Sequence, residues 1–124
     1  MKINWFILIA MLFCHVLDDY TLQGILASMK QKKWWKEHAP HELYKYDYII
    51  ALIMHSISWS FMIMLPIAIS HSFEITPIFI VFFIINVVIH AITDHLKANM
   101  LKINLIIDQT IHIVQIVLTF LLCV

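Results

Sequence analysis

The sequence predicts an all-α protein, a polytopic integral membrane four-helix bundle. Three observations predict it. First, 62% of the 124 residues are hydrophobic and only 13% are charged, about half the charged share of an ordinary soluble domain. Mean hydropathy is +0.88, and a chain this short has too much surface to hide that much apolar side chain from water. Second, apolar runs of about 20 residues recur along the chain, long enough for helices that span a bilayer. Third, the runs exceed a barrel strand and lack its alternation, so helices are preferred over strands despite the Ile and Phe content.

Other classes recede. Formal net charge is zero, so nothing points to nucleic acid as a partner. One Gly and three Pro leave no linker, and there is no repeat, so residues 1–124 read as a single transmembrane domain. Cys14 and Cys123 lie in apolar runs at different depths and read as small apolar fillers. Lys2 followed by an apolar core to Phe13 resembles a signal peptide. No small-x-small cleavage site comes after it, so it reads as a retained first helix.

Helix one is expected over about 3–28, its strictly apolar part ending near Leu17. Residues 30–47 form an interfacial segment of lysines and aromatics, as the headgroup region selects. His38 and His41 flank Pro40 there and read as solvated. Helix two covers about 48–70; its Ser56, Ser58 and Ser60 can bond to backbone carbonyls within the helix. Pro77 opens helix three, about 77–97, at a position where proline costs nothing. Helix four covers about 103–124. The lysines fall in the segment after helix one and in the turn holding Lys97 and Lys102, so both basic loops are expected in the cytoplasm and both termini outside. Lys2 mildly opposes this.

The ionisable residues inside the apolar runs carry the functional reading, because such groups are expensive there. His90 and Asp94 are spaced i, i+4, as are Asp108 and His112 and, upstream, His15 and Asp19. Such pairs share a helix face. At 1.5 Å per residue, His90, Asp108 and His55 lie about 10 Å from the basic edge, and His15 and His112 about 12 to 15 Å. His15, Asp19, His55, His90, Asp94, Asp108 and His112 thus fall in one layer of the cytoplasmic half. The other half offers only Asn86, Gln115 and Thr119.

Imidazole with carboxylate suits a divalent transition metal: zinc first, with iron, manganese or nickel as alternatives. Seven donors exceed what one tetrahedral ion needs. They would serve two ions, or one ion with carboxylates that orient the histidines. Asp18 reads as a neighbour of Asp19 and not as a ligand. Gln23, Gln109 and Lys97 are candidates to hold a water or an anionic substrate. The competing readings are a metal-free proton relay and plain interhelical hydrogen bonding.

The pattern His15-x-x-x-Asp19-x-x-x-Gln23, His55, His90-x-x-x-Asp94-x-x-Lys97 and Asp108-Gln109-x-x-His112 resembles a family of small multi-pass membrane proteins of unknown function from bacteria and phages. The resemblance covers roughly residues 15 to 112; Tyr20 stands where that family usually has Phe. It implies a bacterial inner-membrane protein with a polar cluster and implies no activity. The layout is also similar in style to membrane-bound metal-dependent hydrolases.

The function expected is a metal-dependent hydrolase acting on a lipid-like substrate at headgroup level. Asp19, Asp94 or Asp108 would serve as general base, and Lys97 would receive a phosphate or carboxylate. A metal or proton transporter, or a non-enzymatic protein with a structural metal, is the alternative. The expected partners are the lipid bilayer, a lipid-like substrate and a second copy in a homodimer.

Overall fold

The computed structural model describes residues 3–124. Lys2, and its bearing on orientation and on the signal-peptide pattern, lies outside them. Helix α1, Trp5–Leu17, starts where the Asn4 side chain accepts a hydrogen bond from the Phe6 amide at 3.2 Å, which satisfies one orphan donor of the first turn. Ile7, Met11 and His15 face inward, while Phe6, Ile9, Phe13 and Val16 are exposed. An outward apolar face of that kind is unfavourable in water and ordinary against lipid.

Helix one does not run straight to residue 28. Asp18–Leu22 forms a π turn, closed by the Gln23 amide donating to the Asp18 carbonyl at 3.0 Å. One extra residue in the turn rotates the next stretch of chain about the helix axis, and such turns gather at functional sites. Gly24, at φ +52°, then stops the helix in a left-handed conformation that a residue with a Cβ resists. The single turn α2, Leu26–Met29, comes next, then α3, Lys32–His38, and a 3-10 turn, Glu42–Tyr44. His38 and His41 are exposed. Lys30 is not part of the surface: it is buried.

Helix α4, Asp47–Ser70, is central. It packs on α1 and on α5, Pro77–Ala98, while α6, Leu105–Cys123, closes the ring against α5 and α1. Thr76 caps α5 through its side chain and Pro77 takes the first turn. Asn104 caps α6, accepting from the Ile107 amide at 3.0 Å. It therefore stands at the start of that helix's polar face and not within it. Ser72 and Phe73, at φ 53° and 64°, reverse the chain between α4 and α5.

Among the described residues there is no strand. Four helices are long and apolar enough to cross a membrane, and together with their exposed apolar faces they mark an integral membrane protein. The interior has two layers. Ile7, Met11, Trp59, Ile63, Met64, Ile67, Ile116, Phe120 and Cys123 fill one. Trp5 and Phe120, 5.8 Å apart, join the two ends of the chain on that side. The other layer holds the buried His and Asp side chains. On its side the Asn99 side chain accepts from the Lys32 amide at 2.7 Å and donates to the Lys30 carbonyl at 2.9 Å. Both basic segments therefore meet at one end of the bundle. Both cysteines are free thiols.

Gly24→Ala tests the break in helix one. A Cβ there meets nothing nearer than 4.0 Å, so only the left-handed backbone resists it, at about 1 kcal/mol. The thermal midpoint in detergent should fall by a few degrees. An unchanged or raised midpoint would mean that the helix continues through residue 24.

Candidate metal centre

The polar layer is assembled from three helices and the π turn. Asp19 comes from the π turn, His55 from α4, His90 and Asp94 from α5, Asp108 and His112 from α6. All six are buried; His55, His90, Asp108 and His112 are wholly inaccessible.

Four donor atoms converge at its centre. The Nε2 atoms of His55 and His90 are 3.1 Å apart. Asp19 Oδ1 lies 3.2 Å from the first and 3.8 Å from the second. Asp94 Oδ2 lies 3.5 Å and 3.6 Å from the same two atoms. Nitrogen and oxygen ligands about 2 Å from a tetrahedral zinc stand about 3.3 Å from one another. Asp19, His55 and His90 form one candidate ligand group, and their separations of 3.1 to 3.8 Å bracket that value, so these three side chains fit such an ion with little movement. A second donor group, His90, Asp94 and His112, shares His90 with the first.

The surroundings orient the donors. Gln115 donates through Nε2 to the carbonyl and to the side-chain oxygen of Asn86, at 3.3 and 3.2 Å. Its own Oε1 is therefore the atom 3.1 Å from His112 Nδ1, and that ring nitrogen must carry the hydrogen. His112 Nε2 then turns toward Asp94 Oδ1 and Asp108 Oδ1, each 3.5 Å away. An imidazole lone pair facing two carboxylate oxygens asks for a cation or a proton among them. Asp108 Oδ1, His112 Nε2, His90 Nδ1, His55 Nδ1 and Asp18 Oδ2 are all buried without a hydrogen-bond partner. Such a concentration of orphaned polar atoms is rare away from functional sites.

Asp18 is not among the converging donors, yet it is fully buried beside them. Its Oδ1 accepts from Ser58 Oγ at 2.7 Å and its Oδ2 faces His55 Nδ1 at 3.7 Å. At 3.7 Å the two make no hydrogen bond, so Asp18 acts on the imidazole through its buried charge. Ser58 thus serves Asp18 and not its own helix backbone. Ser56 does bond within its helix, to the Leu52 carbonyl at 2.7 Å.

His15 stands aside from the donor groups. Trp59 Nε1, which can only donate, reaches His15 Nδ1 at 2.9 Å. His15 Nε2 therefore carries the hydrogen and donates to Gln109 Oε1 at 3.0 Å. Both nitrogens are engaged, so the expected ligand role does not fit His15 as it stands. Gln109 donates in turn to Asp108 Oδ2 at 2.9 Å and Asp19 Oδ2 at 3.3 Å. Its amide is fully used and bridges the two carboxylates. Gln23 donates to the Asp19 carbonyl and accepts from Lys30 Nζ at 3.1 Å. Neither glutamine is free to hold a water or a substrate. Asp108 Oδ2 also accepts from Lys97 Nζ at 2.9 Å.

Two residues that sequence reasoning passed over complete the layer. Lys30 Nζ reaches Asp94 Oδ2 at 2.6 Å. Trp59 stacks on His90 at 4.2 Å and 20°, and His90 on His112 at 4.2 Å and 28°, which locks both rings. Trp59 is one turn beyond His55, a spacing that could have flagged it. Asp18 is three residues after His15, a spacing that shares its face and could have flagged it; nothing local could have flagged Lys30, whose inward placement depends on the turn of the chain at Gly24.

Comparison with protein-family models, with curated proteins and with solved structures finds no match to this chain.

Elemental analysis of the detergent-purified protein should find about one equivalent of a transition metal, as one tetrahedral site takes. His55→Ala, His90→Ala and Asp94→Ala should lose it, while His15→Gln should keep it. Asp18→Asn leaves the donors in place and should weaken affinity about 10- to 100-fold. Full occupancy in His90→Ala would sink the site.

Proposed function

We propose that this chain is an integral membrane metalloprotein that holds one divalent transition ion, zinc before iron or manganese, and uses it to hydrolyse a lipid-like substrate at headgroup level. Charge balance carries the reading. Asp18, Asp19, Asp94 and Asp108 are buried together, and the ammonium groups that reach them are Lys30 and Lys97. Four carboxylates against two ammonium groups leave two negative charges when the imidazoles are neutral. Uncompensated buried charge costs several kcal/mol per ion, and one divalent cation removes the deficit. A second would overshoot unless an anion came with it.

An ion held there would polarise a carbonyl or phosphoryl oxygen and acidify a water. The chain's own residues divide the remaining work. Asp19 and Asp94 face the imidazoles as ligands. Asp108 lies outside both donor groups and keeps Oδ1 free of hydrogen bonds, which suits a general base. Lys97, with its side chain 29% exposed, is placed to receive a phosphate or carboxylate. Gln109 and Gln23 act as positioning residues, through Asp108 and Lys30. The basic end of the bundle is read as cytoplasmic, with both termini outside. A bacterial inner membrane is part of the proposal, as is membership of the small phage and bacterial family whose motif the chain resembles.

One observation favours a second reading. Asp19, His55, His90 and Asp94 by themselves supply four ligands, enough to close a tetrahedral sphere. A closed sphere would make the metal a structural clasp between helices.

Turnover separates the two. Metal-loaded protein should hydrolyse a lipid phosphate or a lipid ester. Asp108→Asn should cut kcat by about 100-fold or more, as loss of a general base does, with metal content unchanged. Loaded protein inert toward both substrate classes would leave the structural clasp.

A further inference from the structure

On the lipid-facing side, a slot of about 290 Å³ runs between α5 and α6. Its walls are Phe82, Ile85 and Ile89 from α5 and Ile111, Val114 and Leu118 from α6. Ile85, Ile89, Val114 and Leu118 are exposed, so the slot opens sideways into the bilayer. Polar groups at its floor make no demand on an occupant. Asn86 donates to Thr119 Oγ1 at 2.8 Å, Thr119 donates to the Gln115 carbonyl at 2.8 Å, and Gln115 donates to Asn86.

The slot leads to the polar layer. Ile89, Thr93 and Lys97 step by four along α5, and Leu118, Val114, Ile111 and Asp108 step by three or four along α6, so each set shares one face. Thr93 bonds back to the Ile89 carbonyl at 2.7 Å and adds no free polar group. The two faces are joined at the basic end by the Lys97–Asp108 bridge at 2.9 Å. From Phe82 to Ile89 the wall is about 10 Å long. Ligand pockets commonly run from about 300 to 1,000 Å³, so this volume admits a single narrow chain and not a whole lipid. An ammonium has three donors. Asp108 takes one of Lys97's, and its side chain is part-exposed, which leaves donors for an anion at the mouth.

We infer that this slot seats one acyl chain of an anionic phospholipid, with its phosphate at Lys97 beside the metal centre. The binding stands on the slot and the bridge; that the bound lipid is also the substrate rests on the hydrolase reading above. An apolar slot with a cation about 12 Å beyond its near end along α5 matches an anionic lipid in both of its parts. A soluble phosphate would match only Lys97 and leave the slot unfilled.

The test is native mass spectrometry of the metal-loaded protein in micelles holding equal amounts of phosphatidylglycerol and phosphatidylcholine with identical chains. One phosphatidylglycerol should be retained per chain, preferred about ten-fold, the size of one charge-assisted contact. Val114→Trp, and separately Ile85→Trp on the facing wall, should lose the lipid while metal content and thermal midpoint hold. Lys97→Gln should keep a bound lipid but lose the preference. Glycerol phosphate, the head without the chain, should not displace it. Lipid retained in both tryptophan variants, equal retention of the two lipids by wild type, displacement by glycerol phosphate, or a lipid-free dimer would each overturn the inference. Specific retention without hydrolysis would remove the hydrolase reading and leave the slot standing. Hydrolysis unaffected by both tryptophan variants would remove the slot and leave the hydrolase.

Discussion

Four carboxylates buried side by side inside a bundle with an apolar exterior set the terms for everything else in this molecule. Lipid offers them no water, and each would neutralise or drive the helices apart unless cations stood near. The chain answers with two lysines drawn in from the basic end. Lys30 pairs with Asp94 and Lys97 with Asp108. The irregular backbone after α1 arises from the same need. Asp18 and Asp19, three and four residues after His15, both face inward, and the π turn and the stop at Gly24 precede the single turn that ends at Lys30.

Trp59 divides the bundle into its two chemistries. Its ring belongs to the apolar core and also stacks on His90, while its indole N–H is committed to His15. The polar layer therefore rests on a rigid floor, and its rings have little freedom to turn. Beyond that floor the small Asn86, Gln115 and Thr119 network looks like interhelical glue of the kind common between membrane helices. It does more, because the fixed amide of Gln115 decides which nitrogen of His112 carries the hydrogen. A buried hydrogen-bond chain begun in the half away from the basic end thus aims a donor at the charged centre.

Placement of the charged layer near one end of the spans gives the site two kinds of neighbour. On one side are basic, aromatic segments of headgroup character. On the other, a sideways slot reaches the same depth. A molecule with a polar head and an apolar tail would touch both, which is what the proposed lipid substrate requires.

The fold class, the four spans and the gathering of His and Asp in one layer were legible in the sequence. Helical periodicity places residues four apart on one face, and span length fixes their depth. Asn86, His90 and Asp94 on α5, and Asp108, His112, Gln115 and Thr119 on α6, are buried stripes that such spacing describes. Tertiary structure decided which of those side chains meet. His15 shares the spacing of the others, yet Trp59 from α4 and Gln109 from α6 take both of its nitrogens. Asp18 shares the inward face of His15 by spacing, but only the packing of α4 shows that Ser58 and His55 stand opposite it. Lys30 reads as a surface lysine until the chain turns back and tucks it against Asp94. Spacing along a helix determines a face and a depth, but not the rotation of one helix against another, and coordination depends on that rotation to within an ångström.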